Sequence, residues 1–224
     1  MKIINVKGKK ISIYDNYDGE NKNLSLVIYN SYGGNALGIF NECIKLGVKD
    51  FIFVVIENID WDNEMTPYWN PPIFKGDSEY LGLASQHLLL IEQDIIPKVM
   101  EQLLCSIKEY IITGYSLGGL FSLYSILKTN LFTKFVSCSG SLWYPNFIEF
   151  FKNNFNRNDI KIYLSLGDKE KNDKDMSRCV EDKTKELYNY LIEKNIDVKF
   201  ELNPGNYFKD ISQRMAKGIK YILN

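Results

Sequence analysis

Six short apolar runs, rich in β-branched and aromatic residues, alternate with helix-patterned stretches. This rhythm limits the possible folds more than any other feature. The runs cover residues 24–29, 51–56, 110–113, 135–138, 160–166 and 198–202, and helix-like patterning covers about 36–47, 84–104, 117–128, 174–194 and 209–222. Nearly unbroken apolar strands bounded by helices predict a mostly parallel sheet covered on both faces. Segments 2–7 and 10–15, turned at Gly8-Lys9, read as an antiparallel hairpin at one edge. A length of 224 residues suits one α/β domain, and no internal repeat or low-complexity linker divides it. Residues 58–83 break the rhythm with Trp61, Trp69, Pro67, Pro71, Pro72, Gly76 and Gly82. Following a central strand, they should lie at the carboxyl edge of the sheet as a substrate-site loop. The alternative is an ordered excursion packed by its own aromatics.

Gly114-Tyr115-Ser116-Leu117-Gly118 falls between a strand and a helical run. A serine on so sharp a turn needs neighbours without a Cβ, because the two backbones approach closely there. The arrangement predicts a nucleophile elbow with Ser116 Oγ projecting from the sheet edge; an ordinary βα turn is the alternative. The Leu117 N–H, at a helix N-terminus, would stabilise an oxyanion. A second donor should come from the loop after an earlier strand. Asn30-Ser31-Tyr32-Gly33-Gly34 fits, with Tyr32 or Gly33 as the N–H. An acid should follow a late strand, and Gly167-Asp168-Lys169-Glu170 offers two carboxylates that position alone does not separate.

Composition removes other classes. With 27 Lys+Arg against 28 Asp+Glu, the chain has no field to attract nucleic acid or an anionic membrane. No apolar stretch approaches the ~20 residues that span a bilayer, and the N-terminus has no signal-peptide pattern. Cys43, Cys105, Cys138 and Cys179 form no C-x-x-C pair, so we expect free thiols and a cytoplasmic protein. The single histidine, His87, excludes multi-histidine metal sites, and no motif calls for a metal or cofactor. It lies in Ser85-Gln86-His87-Leu88, where a half-exposed histidine in a first helical turn is expected.

The chain resembles the esterase D-like α/β-hydrolases, the group that contains enterochelin and feruloyl esterases, and most of all a bacterial branch of it. The matching segments are Tyr32-Gly33-Gly34, Asp60-Trp61 with Met65-Thr66-Pro67, Pro71-Pro72, Gly114 to Gly119, Ser139 to Pro145, Gly167 to Glu170, and Pro204 to Phe208. The resemblance implies an α/β-hydrolase fold and hydrolysis of a small acyl ester by a Ser-His-acid triad. It places the nucleophile on Ser116 and the acid on Glu170, with Asp168 as the alternative. The third member does not map. Relatives carry a histidine in the loop before the last helix, where this chain reads Gly205-Asn206-Tyr207-Phe208. A phenol with a pKa of about 10 is almost fully protonated at neutral pH, unlike an imidazole near 6.5. A nearby Lys169 or Lys209 would have to depress it. Two readings therefore stand: an esterase, or an impaired relative that binds a small molecule. Trp61, Trp69, Trp143 and Tyr144, with Tyr68, could wall a pocket for sugars or aromatic acyl groups, or could be core.

Overall fold

Leu24, Leu26 and Ile28 point to one side of their strand, and Val27 and Tyr29 to the other; both sets are buried. A strand apolar on both faces must be covered on both, and it is. In the computed structural model, which describes residues 1–17, 23–34, 36–73, 75–76, 78–170 and 178–224, eight strands form one sheet. They are β1 (Lys2–Val6), β2 (Lys9–Asn16), β3 (Asn23–Asn30), β4 (Phe51–Glu57), β5 (Ser106–Tyr115), β6 (Phe132–Cys138), β7 (Lys161–Gly167) and β8 (Asp197–Asn203). Their spatial order is β1-β2-β4-β3-β5-β6-β7-β8. The β1–β2 and β2–β4 pairs are antiparallel and the rest parallel. The edge hairpin is present. Its turn falls one residue earlier than expected, at Lys7-Gly8, because both residues there have positive φ (45° and 83°), as a tight two-residue hairpin turn requires.

Two cores result. Helices α1 (Ala36–Lys45) and α8 (Ile211–Leu223) bury Ile39, Cys43, Met215 and Ile219 against Val27, Phe53 and Tyr163. The opposite face carries α3 (Ala84–Leu90), α4 (Ile96–Met100), α5 (Leu117–Ile126), α6 (Phe147–Asn154) and α7 (Arg178–Glu193) over Leu26, Ile28 and Ile112. A further short helix, α2 (Trp61–Glu64), follows β4.

The helix expected over 84–104 ends at Met100, and a π-helical turn over Ile91–Ile95 separates α3 from α4. Pro97 accounts for that turn. Its ring would collide with the carbonyl of Gln93 and it has no N–H to give, so the ladder widens by one residue. Residues 174–177 of the expected 174–194 helix lie outside the described residues. The periodicity reading missed α6 altogether. It begins after Asn146, whose φ of 62° turns the chain sharply into Phe147. Among the described residues no helix is long and apolar enough to cross a membrane.

The strand order reverses beside β3, which lies between β4 and β5. The carboxyl ends of β3 and β5 therefore diverge into a crevice, the usual ligand position of a doubly wound sheet. Asn30 ends one strand and Tyr115 the other, so the loop at Ser31 and the turn at Ser116 face each other.

Candidate active site

Ser116 follows the last residue of β5 and precedes the first of α5, with φ 59° and ψ −127°. A non-glycine residue in that region carries strain of about 1–3 kcal/mol, held in place by its surroundings. Four backbone bonds hold it: the Ser116 N–H donates to the Cys138 carbonyl at 3.1 Å, and the Ser116 carbonyl accepts from Gly119, Leu120 and Ser141 at 2.9, 3.1 and 3.0 Å. The crossing is tight enough that a Cβ on Gly114 would lie 2.0 Å from the Gly118 carbonyl oxygen. Both features expected of a nucleophile elbow are therefore present: strained backbone at the serine and a glycine that nothing larger could replace.

Ser116 opens into a cavity of about 580 Å³. Its aromatic lining comes from Tyr29, Tyr32, Trp61, Tyr115, Tyr207 and Phe208, with Ile39 and Ile211 adding aliphatic surface. Trp61 and Asp62 bring the 58–83 segment to this cavity. Trp61 packs edge-on to Tyr32 at 5.3 Å, and its ring would touch a Cβ on Gly118 at 3.2 Å.

The other proposed wall residues lie elsewhere. Trp69 is 59% exposed and donates its indole N–H to Glu79 at 2.8 Å. Tyr144 is fully buried and donates to the Tyr68 carbonyl, while Tyr68 donates to the Pro145 carbonyl, each at 2.5 Å. Trp143 packs against Tyr80 and Tyr144. These rings fasten the long segment to the start of α6. They give the self-packed excursion to this part of the loop, while Trp61 keeps its place at the cavity.

Of the oxyanion candidates, Tyr32 and Gly33 line the cavity, and Leu117 begins α5 beside Ser116. The Gly33 N–H donates to Ser31 Oγ at 3.2 Å. Ser116 Oγ lies 3.2 Å from Ser141 Oγ, a neighbour the sequence reading did not single out.

His87 is 1% exposed, against the expected half, because α3 lays it on Phe121 with ring centroids 5.3 Å apart. Its Nε2 is 2.9 Å from Asn30 Oδ1, so Nε2 carries the hydrogen and donates. Its Nδ1 stands 3.8 Å from Glu64, whose carboxylate accepts from Lys9 at 2.5 Å. Burial, aided by the Lys9 charge, pushes the His87 pKa down to about 3. This neutral imidazole is a brace under the β3 end and does not line the cavity.

Tyr207 lines it instead, half-buried and edge-on to Tyr115 at 5.3 Å, with Ser116 lining the same cavity. Burial raises its pKa above the ordinary phenol value, and the Glu170 charge raises it further. The opposing effects of Ser116 and Arg214 do not reverse this. Neither Lys169 nor Lys209 is among the groups acting on it.

Glu170 is buried behind Tyr207. Its Oε1 accepts from the Gly167 N–H at 2.5 Å, from Ser139 Oγ at 2.7 Å and from Arg214 Nη2 at 2.9 Å. Asp168 is occupied differently: its Oδ1 accepts from the Gly205 N–H at 2.8 Å and so holds the loop that carries Tyr207. Arg214, on α8, was invisible to motif reading. Its Nη1 donates to the Tyr115 hydroxyl at 3.0 Å, and that hydroxyl donates to the Tyr207 carbonyl. Among the described residues no three His, Cys, Asp or Glu side chains gather to hold a metal, and no two cysteines form a disulfide.

No protein-family model matches the sequence, and no curated protein matches it. Solved structures do match in fold. The siderophore hydrolase EstA from Aspergillus nidulans superposes with a TM-score of 0.78 at 19% identity, over 96% of this chain and 90% of that one. An IroE-like serine hydrolase from Shewanella oneidensis gives 0.76 at 17% identity, covering 95% of this chain and 74% of that one. The BES protein from Bacillus cereus gives 0.76 at 19%, covering 96% and 90%. The α/β-hydrolase-like fold is common to all of them.

Proposed function

We propose that this chain carries a carboxylic-ester site of the serine-hydrolase type at Ser116, and that the site binds a small acyl ester but turns it over slowly for want of a general base. The carrying observation is the pairing at the cavity floor: a strained Ser116 with Tyr207, a phenol of raised pKa, beside it, while the sole imidazole is locked to Asn30. Ser116 is the nucleophile. The Leu117 and Tyr32 N–H groups are the oxyanion donors, and Glu170 stands where the triad's acid belongs. The IroE-like serine hydrolase among the structural neighbours supports a serine-hydrolase site. The aromatic cavity, with Trp61 at its mouth, supports a flat or apolar acyl group. No cofactor is required by this chemistry.

A base within about 3 Å of the attacking oxygen would take its proton as the carbonyl is attacked. A protonated phenol is a poor acceptor, so the Ser116 proton has nowhere favourable to go. In a well-studied serine protease, loss of the histidine costs on the order of a millionfold in kcat, and the remaining site keeps roughly 10³–10⁴ over water. Hydrolysis of short p-nitrophenyl esters should therefore lie within about tenfold of the Ser116→Ala variant, while ester binding still changes the tryptophan fluorescence of wild type and not that of Trp61→Phe. Wild-type turnover about a thousandfold or more above Ser116→Ala would overturn the impaired-site reading.

A further inference from the structure

The charges behind Tyr207 are already matched to one another. In a Ser-His-acid relay the carboxylate is held ready for the imidazole, and its charge stabilises the imidazolium as it forms. Here Glu170 has a permanent cation as partner. Arg214 is 1% exposed and Glu170 4%, with Nη2 and Oε1 2.9 Å apart. Ser139 Oγ bridges them, accepting from Arg214 Nη2 at 2.5 Å and donating to Glu170 Oε1 at 2.7 Å. The second arm of the guanidinium holds Tyr115, which in turn holds the backbone of residue 207.

We propose that Arg214 is a positioning residue that acts as the standing counter-ion of Glu170 and, through Tyr115, fixes position 207, so that one exchange at 207 does not rebuild a catalytic relay. A matched ion pair projects little net charge, and a buried imidazole beside it is left with the desolvation penalty. Apart from Glu170, no carboxylate is among the groups acting on residue 207. Tyr115 and Tyr29 are phenols whose pKa values burial raises, and Ser116 is neutral. Asp168 is tied to the Gly205 N–H, Lys209 packs its carbons on Gly205, and Asp62 contributes to the cavity lining from α2. The proposal concerns the same site as the ester reading, yet its main readout is a titration that does not require Ser116 to react.

The test is a proton NMR titration of Tyr207→His. His87, its pKa near 3, stays neutral through the range, so the introduced imidazole is read alone. We expect it to titrate below the ordinary value of about 6.5, and about one unit or more higher once Arg214→Met is added. Arg214→Lys in the same background keeps the charge and should keep the titration low. Fluorophosphonate labelling of Ser116 should gain less than about tenfold in Tyr207→His and a further tenfold or more with Arg214→Met. An imidazole titrating at about 7 or above in Tyr207→His, or one unmoved by Arg214→Met, overturns the proposal. If the double variant fails to fold, the single-variant titration decides alone. Absent labelling throughout, with the titration moving as expected, would sink the nucleophile reading and leave Arg214 in its role.

Discussion

His87 and Tyr207 pack on the two faces of one sheet, and only the phenol lines the cavity with Ser116. The imidazole sits against Phe121 under the end of β3, neutral and bonded to Asn30. The phenol sits against Tyr115 and lines the cavity with Ser116. Both are held by aromatic packing, and in both burial favours the uncharged form. A side chain's reactivity here is set by what surrounds it, and neither place can readily hold a group that gains charge. The charged pair of this region, Glu170 with Arg214, lies one layer behind and is turned inward.

That contrast can be broken most severely at the ion pair. Arg214→Met alone leaves the Glu170 carboxylate buried without its cation, and we expect a loss of about 3–5 kcal/mol in urea unfolding. A loss below about 1 kcal/mol would mean that water reaches the carboxylate and that the pair is not the internal anchor described.

His87 should give the next largest effect, as a pH dependence. Its folded pKa, about 3, lies below the ordinary 6.5, so between these values the unfolded chain binds a proton that the folded one does not. Stability is then unaffected by this group above pH 6.5 and falls as the pH drops toward 3. The slope should approach about 1.4 kcal/mol per pH unit near pH 5. Comparing the unfolding free energy of wild type and His87→Phe across pH 4–7 isolates this contribution. Identical slopes would show that His87 is hydrated in the folded chain.

The smallest effect expected is at Tyr207 itself. Tyr207→Phe keeps the ring on Tyr115 and removes the hydroxyl, so Ser116 labelling should stay within about twofold of wild type. A hundredfold loss would reveal the phenol as a working base.

Much of this was readable in the sequence because the deciding contacts are local. The apolar runs fixed β3 to β8, since period and burial coincide in a strand covered on both faces. The spacing of Gly114, Ser116 and Gly118 encoded the elbow within five residues. The loop from Gly205 to Phe208 was recognisable, with Tyr207 in it. What could not be read depends on distant partners. Arg214 reaches Glu170, Ser139 and Tyr115, which are 44, 75 and 99 residues away, and nothing in the α8 sequence singles it out from other basic residues. The aromatic residues 61, 69, 143 and 144 look alike in sequence, but α2 and the turn before α6 send them to different places. Trp61 reaches the cavity; Tyr144 is sealed beneath Tyr68. His87 begins a helix whose polar start gives no hint that its ring faces Phe121.

The Arg214 contacts also bear on the order in which the molecule can be assembled. One guanidinium on α8 fastens the ends of β5 and β6 and the turn after β7, closing loops of 44 to 99 residues at once. Closing such loops costs chain entropy before any contact offsets it, so contacts of this range belong to the late stages of folding. Until α8 docks, Glu170 has no cation and the backbone at Tyr207 has no tether through Tyr115. The floor of the cavity is therefore among the last parts of the chain to take its final form.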